Sequence, residues 1–420
     1  MIGAGAIWPS ALFYATAYFA VLLGLLLADV QLSPKRQDFE VTRQCDSKLS
    51  LGANNAIRLH VYNRSDQAVA VALRDEFPVS FQTDLWQLTG VVAPRSELVL
   101  TYHLKPFRRG DYQFRDINLR YRGRLGLTVR QERYPASATV KVYPNLLEIH
   151  RYELLARRGQ LAEIGLRNTR ILGRGTEFER LRDYQQDDDY RRINWKATAR
   201  RGRPVSIEYE TERSQNILLM LDAGRLMASP IGPLAKIDYA VNTSLMLAYV
   251  AARMGDNIGL LAFADRISLY LPPRRGKRQF LAMTDALYRL PAYLTEPDYN
   301  LAFRYFASHN RKRSLVVLFT DLVDAETSKL LVSHVAGVSP HHLPVCVTIA
   351  DPGITALAEA SPTDSRSVYQ RAVAEGLLAE RKRALEVLRR RGAIALDLSA
   401  EHLTASVINR YLELKARSRL

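Results

Sequence analysis

The sequence predicts one N-terminal membrane-spanning helix, an antiparallel β-sandwich, and a doubly wound α/β domain with a mostly parallel sheet. Three observations predict this order. Residues 1–28 carry no charged side chain. From Phe39 to Tyr143 apolar and polar residues alternate in short runs between turn signals. From Ser214 onward, continuous apolar runs alternate with amphipathic stretches of helical period. The expected segments are an anchor with its juxtamembrane residues (1–37), the sandwich (38–146), a charged strap (147–213) and the α/β domain (214–420).

The dense apolar run Phe13 to Leu27 suits one bilayer crossing of about 20 residues. A cleaved signal peptide is the competing reading. Against it, no basic residue precedes the run and no small-x-small site follows it. The first basic cluster, Lys35-Arg36, follows the span, so the positive-inside rule places the remaining chain in the cytoplasm, at the inner membrane.

In the next segment the alternating runs are Ile57 to Tyr62, Ala68 to Leu73, Glu97 to His103, Tyr112 to Tyr121 and Ala138 to Tyr143. Turn clusters such as Asn63-Arg64-Ser65-Asp66 and Arg109-Gly110-Asp111 separate them. Period-two alternation with these breaks reads as a sandwich. It shows no catalytic constellation, and serves either as an interaction module or as a spacer.

The strap combines Glu177-Phe178, Leu181-Arg182, Tyr184, three successive aspartates at 187–189, and Arg191-Arg192-Ile193-Asn194-Trp195. A solvated charge run is the usual meaning of such a stretch. The interleaved Phe178, Tyr184 and Trp195 argue instead for a folded strap seated on the next domain. Beyond it, apolar strands are expected at Asn216 to Leu221, Asn257 to Ala264, Ser314 to Thr320, Leu343 to Ala350 and Ala393 to Leu398. Helices are expected at Ala235 to Met254, Lys277 to Leu290, Tyr299 to Ser308, Ala325 to Ala336, Ala372 to Arg391 and His402 to Lys415. Such a sheet is covered on both faces and binds ligands at its carboxyl strand ends, where Asp222, Asp321 and Asp351 stand, with Asp397 nearby.

With these residues in view, the α/β domain resembles a von Willebrand factor A-type domain. The stretch from Gly175 to Arg200 resembles the domain of unknown function 58 family, in which a β-sandwich and an A-type domain sit behind membrane spans. Asp187 stands where that family usually has glycine, and Asn194 where it has aspartate. Asn63, Asp75, Pro78, Arg109-Gly110 and the tail Asn409-Arg410-Tyr411-Leu412 also resemble the family. The resemblance marks Glu177, Phe178, Arg182, Tyr184, Asp188, Asp189, Arg192, Asn194 and Trp195 as the family motif, structural or partner-binding.

The A-type resemblance also implies a metal site: Asp-x-Ser-x-Ser after the first strand, a later threonine, and an aspartate after the fourth strand. Here the first motif reads Asp222-Ala223-Gly224-Arg225-Leu226, so both serines are replaced. The threonine region reads Glu296-Pro297-Asp298, and Asp321 remains. A degenerate set of Asp222, Asp321 and Asp298 is expected, with at most weak magnesium binding and no other cofactor. Arg225 is expected to neutralise the carboxylates.

No Ser/His/Asp order, His-rich cluster or phosphate-binding loop supports an enzyme. His341-His342 are expected to face solvent. The net charge of +16 suits nucleic acid, an anionic membrane or an acidic protein face. The widely separated Cys45 and Cys346 point to a reducing compartment. The family resemblance implies a MoxR-type AAA+ ATPase partner and a role in assembling or maturing client proteins. The basic helix around Arg381-Lys382-Arg383 and Arg389 to Arg391 would meet an acidic partner or lipid. Two alternatives are a metal-dependent site using Asp188, Asp189, Asp222 and Asp321, and nucleic-acid binding through the basic surface. The scattered basic residues carry no nucleic-acid recognition motif.

Overall fold

The computed structural model of the chain describes residues 9–145, 147–149, 177–185, 190, 193–210, 214–322 and 328–417. It divides into two compact units, Met1–Tyr143 and Pro144–Leu420.

The first unit begins with helix α1 (Pro9–Leu32), and its stretch Phe13–Leu32 is long and apolar enough to cross a membrane. Eleven strands follow among the described residues: β1 (Phe39–Gln44), β2 (Lys48–Ser50), β3 (Asn55–Asn63), β4 (Val69–Asp75), β5 (Phe81–Thr83), β6 (Leu88–Val92), β7 (Glu97–Pro106), β8 (Gly110–Phe114), β9 (Ile117–Arg122), β10 (Val129–Tyr134) and β11 (Ala138–Tyr143). They form a sandwich-like set of sheets ordered β1-β3-β7-β5, β10-β9-β4-β6 and β2-β11-β8. The alternation read from sequence is the inward–outward pleat: Ile57, Leu59 and Val61 on β3, and Val71 and Leu73 on β4, are buried, while their neighbours point outward. The run Tyr112 to Tyr121, expected as one strand, is two. The chain breaks at Arg115-Asp116, so that β8 pairs with β11 and β9 pairs with β4. Backbone bonds from Arg115 N to Glu76 O and from Glu76 N to Asp116 O fix this change of sheet.

Inside the sandwich Arg43 grips the Asp75 carboxylate with two donors and also reaches Ala136 O (2.6 Å) and Arg115 O (2.9 Å). Tyr102 donates its hydroxyl to Asp75, and burial raises the Tyr102 phenol well above its usual range. Asn63 donates to Gln67 O (2.8 Å) and accepts from Ser65, shaping the β3–β4 turn. Asn63 and Asp75 are thus buried framework residues.

In the second unit β12 (Glu177–Asp183) and β13 (Val205–Glu210) form an antiparallel pair around helix α2 (Trp195–Arg201). The α/β layer follows with β14 (Asn216–Asp222), the small hairpin β15 (Pro230–Ile231) and β16 (Leu234–Ala235), α3 (Lys236–Arg253), β17 (Asn257–Phe263), β18 (Ile267–Arg274), α4 (Lys277–Tyr288), α5 (Tyr299–His309), β19 (Ser314–Phe319), α6 (Ser328–Val338), β20 (Leu343–Ala350), α7 (Pro352–Glu359), α8 (Ser365–Arg390), β21 (Ile394–Ser399) and α9 (Leu403–Ala416). The six-stranded sheet runs β18-β17-β14-β19-β20-β21, with every neighbour parallel except β17 and β18. Ile217, Leu219 and Leu221 of β14 pack towards α3, α4 and α9. Leu218 and Met220 pack towards α5, α6 and α8. Burial on both faces is why β14 and β19 read as unbroken apolar runs.

Two helix starts differ from the sequence reading. Helix α7 was not expected, yet Asp351 caps it by accepting from Gly353 N (2.8 Å), with Pro352 at the first position. Helix α8 begins at Ser365 rather than Ala372, because Asp364 caps it through Ser367 N (2.7 Å). The last helix is latched internally. Asp256, fully buried, accepts from Tyr411 Oη (2.5 Å) and from Lys415 Nζ (2.7 Å).

Candidate functional site

The carboxyl ends of β14, β19, β20 and β21 bring together a set of buried polar groups. Asp222 closes β14 and is 1% exposed. Its Oδ1 accepts from Gly224 N (2.8 Å), and its Oδ2 accepts from Thr320 Oγ1 (2.6 Å) and Tyr299 Oη (3.1 Å). These partners are neutral dipoles. Burial therefore pushes the Asp222 carboxyl up to about 6, against the pull of the Thr320 hydroxyl and the Gly224 amide. Tyr299 is raised well above its usual value, by burial first and by the charge of Asp222 second.

Asp321, two residues past the end of β19, has a different environment. Lys236, the first residue of α3, places Nζ 2.5 Å from Asp321 Oδ2. Arg381, from the middle of α8, places Nη1 2.6 Å from Asp321 Oδ1 and donates to Leu322 O at 2.8 Å. The same guanidinium donates Nη2 to Asp397 Oδ1 at 2.9 Å, and Thr348 Oγ1 donates to that oxygen at 2.8 Å. Burial alone would lower the Arg381 guanidinium. Its hydrogen bond to Asp397 and the charge of Asp321 outweigh burial and hold it above its usual value. Two cations and two carboxylates make this cluster neutral, with Asp222 beside it as a further acid.

The sequence named Asp222 and Asp321 for this place, and both are here. Asp298 is the N-cap of α5, with Oδ1 accepting from Leu301 N (2.9 Å). Arg225 pairs with Glu296 at the surface (2.6 Å) instead of neutralising Asp222 or Asp321. Lys236 and Arg381 take that role for Asp321 alone, so Arg381 is withdrawn from the basic face expected of α8. Lys382, Arg383, Arg389, Arg390 and Arg391 remain exposed there. Of the adjacent histidines, His341 is exposed, whereas His342 is half-buried with its ring edge-on to Phe306 (4.8 Å between centroids).

The residues do not fit the divalent cation that an A-type site would hold. Both Asp321 oxygens already meet cationic nitrogens, and the two serine positions are Gly224 and Leu226. A side chain at 224 would also be crowded: a Cβ there would stand 2.9 Å from Thr295 O and 3.0 Å from Asp222 Oδ1. Sequence reasoning missed Thr320, Tyr299, Lys236 and the inward role of Arg381. Only Thr320, immediately before Asp321, carried a local signal. The other three reach the site from distant helices.

Residues 180–388 match a family model described as a protein of unknown function, DUF58. The uncharacterized protein YeaD of Bacillus subtilis (strain 168) is 25% identical over 290 residues, 65% of this chain and 66% of its own length. The chain carries a DUF58-family domain. The uncharacterized protein Rv1480 of Mycobacterium tuberculosis (strain ATCC 25618 / H37Rv) is 24% identical over 155 residues, 36% of this chain and 49% of its own length. The chain thus spans less than two thirds of the curated relatives it matches. A solved structure of the CARDB domain of PF1109 from Pyrococcus furiosus is 20% identical and covers 25% of this chain and 92% of that one, at a TM-score of 0.19.

The motif residues between Glu177 and Trp195 have different structural settings. Asn194 is the N-cap of α2: Oδ1 accepts from Ala197 N (3.0 Å), while its own amide donates to Val205 O (2.8 Å). An aspartate carboxylate could accept the same bond, so asparagine at this position keeps the cap chemistry. Tyr184 is half-buried, and its amide donates to Pro204 O (3.0 Å). Trp195 is 70% exposed, contrary to the expected hydrophobic seat, because the first turn of α2 points it outward. Glu177, Phe178 and Arg182 lie on β12. Asp188, Asp189 and Arg192 lie outside the described residues.

Proposed function

We propose that this is a membrane-anchored interaction protein. Its DUF58 domain, read as a von Willebrand factor A-like fold, offers its strand-end face and the exposed Trp195 region to a protein partner. The observation that carries this reading is the neutral Lys236–Asp321–Arg381–Asp397 cluster. A-type folds dock ligands at that face through a metal, and here two built-in cations occupy the carboxylates. The face is thereby left as a preformed surface with no demand for an ion, and with no nucleophile and base poised for catalysis among the described residues.

Anchoring is supported by the junction of α1 with the sandwich, where Asp29 accepts hydrogen bonds from Leu125 N (2.6 Å), Thr128 N (2.7 Å) and Thr128 Oγ1 (2.6 Å). Cleavage after the apolar run would remove a residue that the folded unit is built around, which favours a retained span over a signal peptide. With Lys35 and Arg36 following the span, the soluble part lies in the cytoplasm. The partner implied by the DUF58 resemblance is a MoxR-type AAA+ ATPase, acting with this protein on client proteins.

Affinity purification of the tagged full chain from detergent-solubilised membranes tests the proposal. Recovery of an AAA+ ATPase above an untagged control, reduced by Trp195→Ala, is expected. Recovery of no ATPase, or a stoichiometric magnesium or manganese isotherm that Asp222→Ala abolishes, would sink it.

A further inference from the structure

The tip of the β9–β10 hairpin is gripped by α1 in a way that sets its depth. Asp29 lies three residues inside the end of the apolar stretch Phe13–Leu32, about 4.5 Å along the axis at about 1.5 Å per residue. An ionisable side chain at that level of a bilayer is costly unless protein groups satisfy it. Here the loop Gly123–Thr128 wraps the carboxylate, which is fully buried. Ser33 Oγ accepts from Arg124 N (3.2 Å), and Arg130 donates to Val30 O (2.6 Å). The approach is so close that a Cβ on Gly123 would fall 2.6 Å from Ser33 Oγ and closer still to the Asp29 carboxylate.

That loop is not polar at its surface. Leu125, Leu127 and Val129 are 48%, 51% and 59% exposed, and Leu27 and Leu32 of α1 are exposed to a like degree. Arg122 and Arg124 are exposed on the same tip. Two leucines and a valine with flanking arginines, held level with the last turn of an apolar helix, match the composition of an interfacial anchor.

We infer that this hairpin tip is a second membrane contact: Leu125 and Leu127 enter the headgroup–acyl boundary, and Arg122 and Arg124 meet lipid phosphates. This deepens the anchored reading above and rests on it. The leucines would reach roughly 5–10 Å below the headgroups, the depth of interfacial apolar faces. The contact fixes the sandwich at one orientation to the bilayer, with the turn after β4 pointing away. In that sheet Val71 pairs with Tyr121 and Asp75 with Ile117, so Val79 lies at the strand end opposite the hairpin tip.

The test uses the full chain reconstituted into phosphatidylcholine vesicles containing phosphatidylglycerol. A Cys45→Ser background leaves Cys346, which is buried. An environment-sensitive fluorophore is placed at Leu127→Cys or at Val79→Cys, which is 96% exposed. Blue-shifted emission, quenched by spin-labelled acyl chains several times more strongly at 127 than at 79, is expected. Arg122→Glu with Arg124→Glu should reduce quenching at 127 while the protein still floats with the vesicles. Equal quenching at both positions in a vesicle-bound protein overturns the hairpin contact and leaves the anchor standing. Failure of the chain to float with vesicles overturns the anchor itself. Unchanged quenching in the double variant overturns the arginine–phosphate pairing.

Discussion

Asp222 and Asp321 stand at the ends of adjacent parallel strands, and the protein settles their charges in opposite ways. Asp321 is met by a lysine from α3 and an arginine from α8, and shares the arginine with Asp397. Asp222 is met by two hydroxyls and an amide, and its carboxyl shifts up to about 6. The contrast shows two ways of holding a buried carboxylate at the end of a parallel strand. One carboxylate acquires fixed countercharges and ties two helices to the sheet. The other keeps dipoles only and leans towards a proton.

The largest effect should come from breaking the fixed pairs. Asp321→Asn leaves Lys236 buried without its carboxylate and Arg381 with Asp397 alone, their side chains being 7% and 12% exposed. Removing one partner of a buried ion pair costs about 3–5 kcal/mol. Thermal unfolding of the full chain in detergent should show a large loss, with the start of α3 and the turns of α8 around Arg381 opening first in hydrogen exchange. Replacing Lys236 by Met as well should recover part of the loss, since one unbalanced cation is then gone. A loss below about 1 kcal/mol would make the cluster an ordinary surface pair.

Asp222 should respond to pH. Its folded value of about 6 exceeds the unfolded value of 3.8. Between those values the native state keeps a proton that the unfolded chain has lost. Its contribution is therefore most favourable below pH 3.8 and is lost as pH rises through 6. Asp222→Asn removes this dependence. The stability difference between variant and parent should move in the variant's favour between pH 4 and 7, by on the order of 2–3 kcal/mol. A difference that stays flat across that window would mean that Asp222 has a countercharge.

Supplying the serine oxygen that an A-type pattern would have at position 224 should fail on space and charge. Gly224→Ser places a Cβ against the backbone oxygen of Thr295 and against Pro297, contacts of 2.9 and 3.0 Å. Overpacking of this kind costs about 1–3 kcal/mol. Calorimetric titration with magnesium should remain featureless in Gly224→Ser, because Lys236 still holds Asp321. Binding gained by Gly224→Ser alone would show that the lysine gives way to a cation.

Much of this architecture was legible in the sequence because burial imposes period. The outward residues of β3 and the unbroken runs of β14, β19 and β20 report one-sided and two-sided sheets directly. Asp222 and Asp321 were legible because strand ends in an α/β sheet gather at one edge. The countercharges of Asp321 were not, since Lys236 precedes it by 85 residues and Arg381 follows it by 60, and both look like any surface cation. Arg225, adjacent to the site in sequence, was the natural choice and was wrong for that reason: the turn after Ala223 carries it outward to Glu296. Helix α7 escaped notice because the Asp351-Pro352 start was read as a strand end alone.

The smallest expected effect separates fold from docking within the DUF58 motif. Asn194→Ala removes the cap of α2 and should cost about 1 kcal/mol, with Asn194→Asp close to neutral. Trp195→Ala, at a side chain 70% exposed, should change stability by less than about 0.5 kcal/mol. The neighbouring positions would then differ in kind. A stable Trp195→Ala protein that no longer retains its partner assigns the tryptophan to recognition, because exposed aromatic groups supply interface energy and little folding energy. A Trp195→Ala protein as destabilised as Asn194→Ala would place the ring in the fold, and the docking role would pass to the strand-end face alone.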